Sequence, residues 1–67
     1  MTLGENIRRL RKVKGLTQDE LSDKLYYSSN AVSSWERNRT KPSVETLKLM
    51  AEVLGVSVGE LTGDKKI

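Results

Sequence analysis

In this 67-residue chain, residues 16–38 read LTQDELSDKLYYSSNAVSSWERN and contain the signals of two consecutive short helices. Thr17 followed three residues later by Glu20 has the spacing of a capping box, in which two side chains satisfy the free amides at the start of a helix. Leu21 and Leu25 then lie four residues apart, on one helical face. This half of the stretch therefore predicts a short helix that ends near residue 25.

The second half of the stretch predicts another short helix after a tight turn. Tyr26 and Tyr27 interrupt the helical period, and Ser28 has the residue type that caps a helix. Val32 and Trp35 then face the core, and the helix ends near residue 37 or 38. Because the connection is only about three residues long, the two helices form a crossed pair. One of the two tyrosines packs, while the other offers its hydroxyl to a phosphate or faces water.

Three further helices are predicted outside this pair. A capping box of Thr2 and Glu5 begins a helix over roughly residues 3–14, Ser43 begins one that ends at Gly55, and a fifth, short helix follows Ser57. No alternating pattern long enough for a strand occurs. We therefore expect one all-α domain, a compact bundle of five short helices with its core over about residues 3–62 and a tail over 63–67. The apolar positions of these three helices are Leu3, Ile7 and Leu10; Val44, Leu47, Met50, Ala51 and Leu54; and Val58 and Leu61.

Composition argues against an enzyme. The chain has no Cys and no His, so thiolate nucleophiles, imidazole bases, disulfides and almost all zinc sites are excluded. Asp19, Glu20 and Asp23 have the charge preference of a helix start rather than the arrangement of a catalytic pair. No metal, cofactor or small-molecule ligand is expected. No apolar run has the length of a membrane span or of a signal-peptide core, which predicts a cytoplasmic protein without a membrane partner.

The distribution of charge indicates an anionic partner. Twelve Lys and Arg against nine Asp and Glu give a net charge of +3. The cations concentrate in the segment from Arg8 to Lys14 and again at Arg37, Arg39 and Lys41, and the segments between and after them are acidic. Two basic stretches favour one anion-facing surface. The alternative is a solvated face of no function.

The outer side of the third helix has an unusual composition for a surface. With Val32 and Trp35 turned inward, its outer residues are small or hydrogen-bonding, and none is Glu, Asp or Lys. A helix that enters the major groove of B-DNA, about 12 Å wide, needs slim side chains whose donors and acceptors meet base edges. This favours a DNA-reading helix, although a merely polar surface helix has the same residues. The outer residues are Ser29, Asn30, Ser33, Ser34 and Arg37.

Four linked stretches carry a family resemblance: IRRLRKVKG over 7–15, LTQDELSDKL over 16–25, SSNAVSSWERN over 28–38 and KPSVETLKLMAEVLG over 41–55. Together they resemble the Xre-type helix-turn-helix DNA-binding domain, which is similar to lambdoid phage repressor and Cro proteins. The resemblance implies a bacterial or phage transcriptional repressor that inserts its third helix into the major groove of a palindromic operator. Two departures from the family pattern are Asn38, where many relatives have Gly, and the pair Tyr26-Tyr27.

The resemblance also implies roles for individual residues. Base contacts fall on Gln18, Ser29, Asn30, Ser33 and Ser34, and phosphate contacts on Thr17, Ser28, Arg37, Asn38, Arg39 and Lys41. Asn30 is the strongest candidate reader, because an amide can pair in bidentate fashion with adenine. The family further places an ion pair between Arg11 and Glu36.

The sequence is compatible with two kinds of binding partner. The main one is double-stranded DNA, bound by a homodimer whose contact uses an apolar strip of Val56, Val58 and Leu61. The rival is another protein, held by the same scaffold in the manner of an antitoxin or anti-repressor subunit, because a fold alone does not fix a function. Apolar anchors on the outer face of the third helix favour a protein groove, whereas Ser, Asn and Arg there favour nucleic acid.

Overall fold

The computed structural model describes residues 2–63, which form five α-helices in the order that the sequence predicts. This confirms the all-α class and the predicted bundle of five short helices. The predicted tail lies outside the described residues from position 64 onward. None of the helices within 2–63 is both long enough and apolar enough to span a bilayer. The helices are α1 (Leu3–Val13), α2 (Gln18–Lys24), α3 (Ser29–Glu36), α4 (Val44–Leu54) and α5 (Val58–Thr62).

Local sequence signals start the helices where they were expected. Complete capping boxes begin α1, α2 and α5, formed by Thr2 with Glu5, Thr17 with Glu20 and Ser57 with Glu60.

The start of α3 differs from this pattern. Ser28 occupies the cap position in extended backbone, but its hydroxyl makes no capping hydrogen bond, so the expected side-chain cap is wrong. The hydroxyl of Ser43, by contrast, accepts from the amide of Thr46 at the start of α4.

The core lies where α1, α2 and α3 meet, closed by α4 and α5. Helix α3 packs against both α2 and α1, and α5 packs against α1 and α4. Both apolar residues assigned to the inner side of α3, Val32 and Trp35, are buried in it. This inner packing holds α3 with its other side outward. The core residues are Ile7, Leu21, Leu25, Val32, Trp35, Met50, Ala51, Leu54 and Leu61.

Two apolar residues lie elsewhere than expected. Val44 is 67% exposed, because it sits at the first position of α4 ahead of the stripe that reaches the core. Leu61 is 0% exposed, because α5 turns this side chain into the core between α1 and α4. The expected dimer strip is therefore wrong at Leu61, while Val58 is 38% exposed and Val56 is half-buried.

The N-terminus of α1 presses directly against the C-terminal end of α3. A Cβ atom at Gly4 would lie 2.5 Å from the carbonyl oxygen of Glu36 and 2.6 Å from that of Trp35. Such distances leave no room for any side chain, so glycine is required for the approach. The contact fixes the end of α3 from which the following loop departs.

The two tyrosines of the turn have different environments. The ring of Tyr27 packs edge-on against Trp35, with ring centroids 5.1 Å apart, and its hydroxyl hydrogen-bonds that of Thr46 at 2.9 Å. Tyr26 is 89% exposed and has a left-handed backbone with φ of 63°. Tyr27 is thus the tyrosine that packs, and Tyr26 is the one that faces solvent.

Candidate nucleic-acid interface

The outer side of α3 and the loop after it, residues 37–43, form one continuous polar surface. Ser29 and Asn30 are exposed in the first turn of α3, whereas Ser33 and Ser34 are half-buried one turn further on. A shallow cavity of about 210 Å³ lies on this surface, between α3 and the loop. Its lining consists of Asn30, Ser33, Ser34, Arg37 and Arg39.

This cavity joins the two halves of the predicted site. Amide and hydroxyl groups from α3 supply donors and acceptors, and the guanidinium groups of Arg37 and Arg39 add positive charge at the edge. No carboxylate takes part in its lining. The arrangement suits a ligand that presents hydrogen-bonding edges beside anionic groups, which is the chemistry of duplex DNA.

A buried ion pair supports the surface from behind. Arg11 donates from Nε to Glu36 Oε2 at 2.6 Å and from Nη2 to Oε1 at 3.2 Å, and the two side chains are only 9% and 4% exposed. The third guanidinium bond, from Nη1, goes to the carbonyl oxygen of Leu16 at 2.8 Å. Such a pair ties α1 to the end of α3 and to the segment that precedes α2.

Gln18 has a structural contact that the sequence did not predict. Its Nε2 donates to Glu36 Oε1 at 2.9 Å, so it joins α2 to the same carboxylate that Arg11 binds. The side chain was expected to contact DNA. The structure brings it to the end of α3 rather than to the cavity beside Asn30. No local sequence pattern indicates this bond, because its two residues lie 18 positions apart.

The two predicted phosphate binders at helix starts are both exposed. Thr17 uses its hydroxyl to accept from the amide of Glu20 within the capping box of α2. Ser28, at the start of α3, has a hydroxyl that does not cap the helix. The Ser28 hydroxyl therefore remains available to an external hydrogen-bond partner at the N-terminus of α3, where Ser29 and Asn30 are also exposed.

The loop after α3 carries three exposed cations, Arg37, Arg39 and Lys41. The amide of Arg39 donates to the carbonyl oxygen of Ser34 at 3.0 Å, and the hydroxyl of Thr40 hydrogen-bonds the hydroxyl of Ser34 at 2.8 Å. These contacts fold the loop back onto α3. Thr40 was not among the predicted site residues, and Ser34 was expected to contact bases, with phosphates or bridging waters as alternatives for its hydroxyl.

Asn38 has the left-handed backbone that its residue type tolerates, with φ of 60°. Its side chain faces α1: Oδ1 accepts from the amide of Gly4, and Nδ2 donates to the hydroxyl of Thr2, both at 3.1 Å. The structure thus gives an amide expected to bind phosphate two partners within the protein. Both partners lie more than thirty residues away in sequence, and no local pattern reveals them.

The basic segment from Arg8 to Lys14 does not line this cavity. Arg8, Arg9, Lys12 and Lys14 are exposed, while Arg11 is buried in its ion pair. None of the five lines the cavity beside α3. Within residues 2–63, no group of three or more carboxylates lies close enough together to hold a metal ion.

Helices α2 and α3 pack together and are joined by the short turn over residues 25–28, and with the exposed polar face of α3 they define a helix-turn-helix domain. The chain belongs to the helix-turn-helix family, whose family model matches residues 7–61. This confirms the resemblance drawn from the sequence.

Known proteins agree with this assignment. The chain is 48% identical over 59 residues to the HTH-type transcriptional regulator y4dJ of Sinorhizobium fredii, covering 88% of this chain and 77% of that protein. It is 36% identical over 67 residues to the immunity repressor protein of Bacillus phage phi105, covering 100% of this chain and 46% of the repressor. Among solved structures, the P22 c2 repressor protein in complex with synthetic operator 9T superposes with a TM-score of 0.89 at 32% identity, covering 97% and 98% of the two chains.

The relatives differ from this chain in length. It spans 33% of the HTH-type transcriptional activator BcrR of Enterococcus faecalis and 46% of the phage repressor, against 77% of y4dJ. The shared part is the domain described above.

Proposed function

We propose that this chain is a sequence-specific, double-stranded DNA-binding transcriptional regulator that represses by occupying an operator. Helix α3 enters the major groove, and the loop after it lies along the phosphate backbone. The protein acts in the cytoplasm, where bacterial DNA is found, and has no enzymatic activity. The family membership supports this function, as do the repressor names of the relatives and the operator complex of the P22 c2 repressor protein.

One observation carries the proposal: the polar face of α3 and two arginines share one concave surface. Groove binding requires slim hydrogen-bonding groups at the centre and cations at the edges, because base edges specify the sequence and phosphates fix the position. Apolar anchors, which a protein-binding groove needs, are missing from that lining. The surface therefore supports DNA over the rival protein partner.

The roles proposed for individual residues divide along this surface. Asn30 reads an adenine, and Ser29, Ser33 and Ser34 contact bases directly or through water. Arg37, Arg39 and Lys41 bind phosphates together with the exposed hydroxyls of Thr17 and Ser28. Gln18 reaches DNA only by leaving or sharing its bond to Glu36.

The test is selection of bound duplexes from a random-sequence library, first with the natural protein and then with Asn30→Ala. We expect a symmetric motif that relaxes at one position in each half, with a loss of about 1–3 kcal/mol against the preferred base. Glu52→Ala, at an exposed position of α4, is the matched control and should leave the motif intact. Recovery of no enriched motif by the natural protein would refute sequence-specific binding.

A homodimer accounts for the expected symmetry. One short helix reads few base pairs, whereas two copies read half-sites whose centres lie about 34 Å apart. We place the contact at Val56 and Val58, which keep apolar surface outside the core. Analytical ultracentrifugation of the protein on a palindromic duplex should give two chains per duplex. A single chain per duplex, at protein concentrations that saturate binding, would refute the dimer.

A further inference from the structure

Asn38 is the one residue of the loop after α3 whose side chain binds α1 among the contacts of residues 2–63. We propose that Asn38 is a positioning residue for DNA binding: its amide fixes the loop so that Arg39 and Lys41 meet the phosphate backbone. The inference rests on the proposed function and replaces the direct phosphate contact expected of Asn38. It assigns the residue a role that acts through its neighbours.

The geometry leaves the amide little capacity for a phosphate. Its oxygen accepts from the amide of Gly4, and one proton of its nitrogen is donated to Thr2. The amide oxygen of Asn38 and a phosphate oxygen are both acceptors, so they cannot hydrogen-bond to each other. A single proton on Nδ2 remains.

The anchor on α1 is itself rigid. Gly4 lies against the last carbonyl groups of α3, so the amide that binds Asn38 Oδ1 cannot move without disturbing that contact. The bond from Gly4 also satisfies one of the free amides at the start of α1. Asn38 is therefore held between two helices whose relative position is already set.

The residues after Asn38 are held by a second contact. The amide of Arg39 and the hydroxyl of Thr40 both bind Ser34. Together with the Asn38 anchor, these bonds order the backbone of the loop before any DNA arrives. Ordering a residue's backbone costs free energy, so a loop that is ordered beforehand binds phosphates more tightly than a loose one.

Salt dependence separates positioning from contact. Cations that neutralise phosphates release counterions, and each neutralised phosphate contributes about −0.9 to the slope of log K against log salt concentration. A neutral amide that touches a phosphate releases none. Loss of a contacting Asn38 would lower affinity at an unchanged slope, whereas loss of a positioning Asn38 makes the slope shallower because Arg39 and Lys41 are no longer fixed.

The experiment measures binding of Asn38→Gly and the natural protein to a duplex recovered by the selection described above, between about 50 and 200 mM salt. Glycine adopts the left-handed backbone without strain, so the substitution removes the side-chain amide and its two bonds to α1 without adding backbone strain. We expect affinity at the lower salt concentration to fall about tenfold and the slope to become shallower by about 1–2 units, equivalent to one or two phosphates.

Two further variants complete the test. Glu5→Ala removes half of the α1 capping box while leaving the hydroxyl of Thr2 for Asn38, and should keep the natural slope. Thr40→Val removes the hydroxyl bond to Ser34 while the amide of Arg39 keeps its bond, and it should make the slope shallower than that of the natural protein. Circular dichroism should show all three variants folded.

The outcomes separate cleanly. An affinity loss at Asn38→Gly with the natural slope would assign a direct contact and overturn the positioning role, as would unchanged affinity and slope. A slope equally shallow in Glu5→Ala would also overturn it, because a weaker α1 would then be the cause. Failure of the natural protein itself to bind any duplex in dilute salt would instead overturn the proposed function.

Discussion

The inner end and the outer face of α3 are built on opposite principles. At the inner end, the carboxylate of Glu36 receives bonds from Arg11 and Gln18, and its carbonyl oxygen lies against Gly4. On the outer face, Ser29 and Asn30 are open to solvent. One eight-residue helix therefore carries both a dense internal network and an open polar surface.

This division separates stability from recognition. A helix of about two turns is marginal by itself and needs tertiary contacts to persist. Helix α3 obtains those contacts from its inner side. The residue types on its outer side are therefore not limited by packing and can suit a ligand. Substitutions at the inner end should therefore change stability, whereas substitutions on the outer face should change ligand binding.

The largest effect is expected from Glu36→Ala. It leaves the guanidinium of Arg11 buried without its carboxylate, which typically costs about 3–5 kcal/mol of unfolding free energy. Asn30→Ala on the outer face is the control and should change that free energy by no more than about 0.5 kcal/mol. Urea denaturation followed by circular dichroism measures both. Equal losses from the two substitutions would mean that stability is not concentrated at the inner end.

A double variant tests whether the stranded charge of Arg11 causes the loss of stability in Glu36→Ala. Replacing both members of the pair, with Arg11→Met and Glu36→Leu, removes the stranded charge, so most of the stability lost in Glu36→Ala should return. If the double variant is as unstable as Glu36→Ala, the pair contributes through more than the cost of an isolated charge.

The sequence predicts the helices far better than it predicts the network behind α3. Capping boxes and apolar periods are local signals, and three of the former formed as expected. The bonds of Gln18 and Asn38 join residues 18 to 36 positions apart, and an amide has many possible partners. Only the packed arrangement of the helices selects among them.

Short helices give the least information about their own orientation. The spacing of Val58 and Leu61 fits both an exposed apolar strip and a face turned into the core. A helix of five residues is too short to contain a further apolar position that would decide between the two. The packing of α5 on α1 and α4 makes Leu61 a core residue. The outer face of α3 was easier to predict, because Val32 and Trp35 identify the inner side, and the remaining polar residues of the helix must then lie on the outer side.

Ser22→Ala should raise stability by an intermediate amount. The hydroxyl of Ser22 is buried in α2 and has no hydrogen-bond partner within residues 2–63. Such a group loses its hydration without compensation, so its removal should raise the unfolding free energy by about 1–3 kcal/mol. Ser29→Ala, on the exposed outer face, should give no comparable gain. A destabilised Ser22→Ala in urea denaturation would show that the hydroxyl has a partner in solution.

The smallest effect is expected at Tyr26, where the turn joins the two helices. The left-handed backbone of Tyr26 costs about 1–2 kcal/mol of stability, and glycine avoids that cost. Glycine also gives the unfolded chain more conformational freedom, which lowers the unfolding free energy by about 0.4–1 kcal/mol. Tyr26→Gly should therefore be more stable by about 0.5–1 kcal/mol. Tyr26→Ala keeps the Cβ atom and should give no gain. Both variants should bind the selected duplex as tightly as the natural protein, because Tyr26 does not line the cavity beside α3. A matching loss of affinity in both variants would instead place the phenol hydroxyl on a phosphate and extend the DNA-binding surface into the turn.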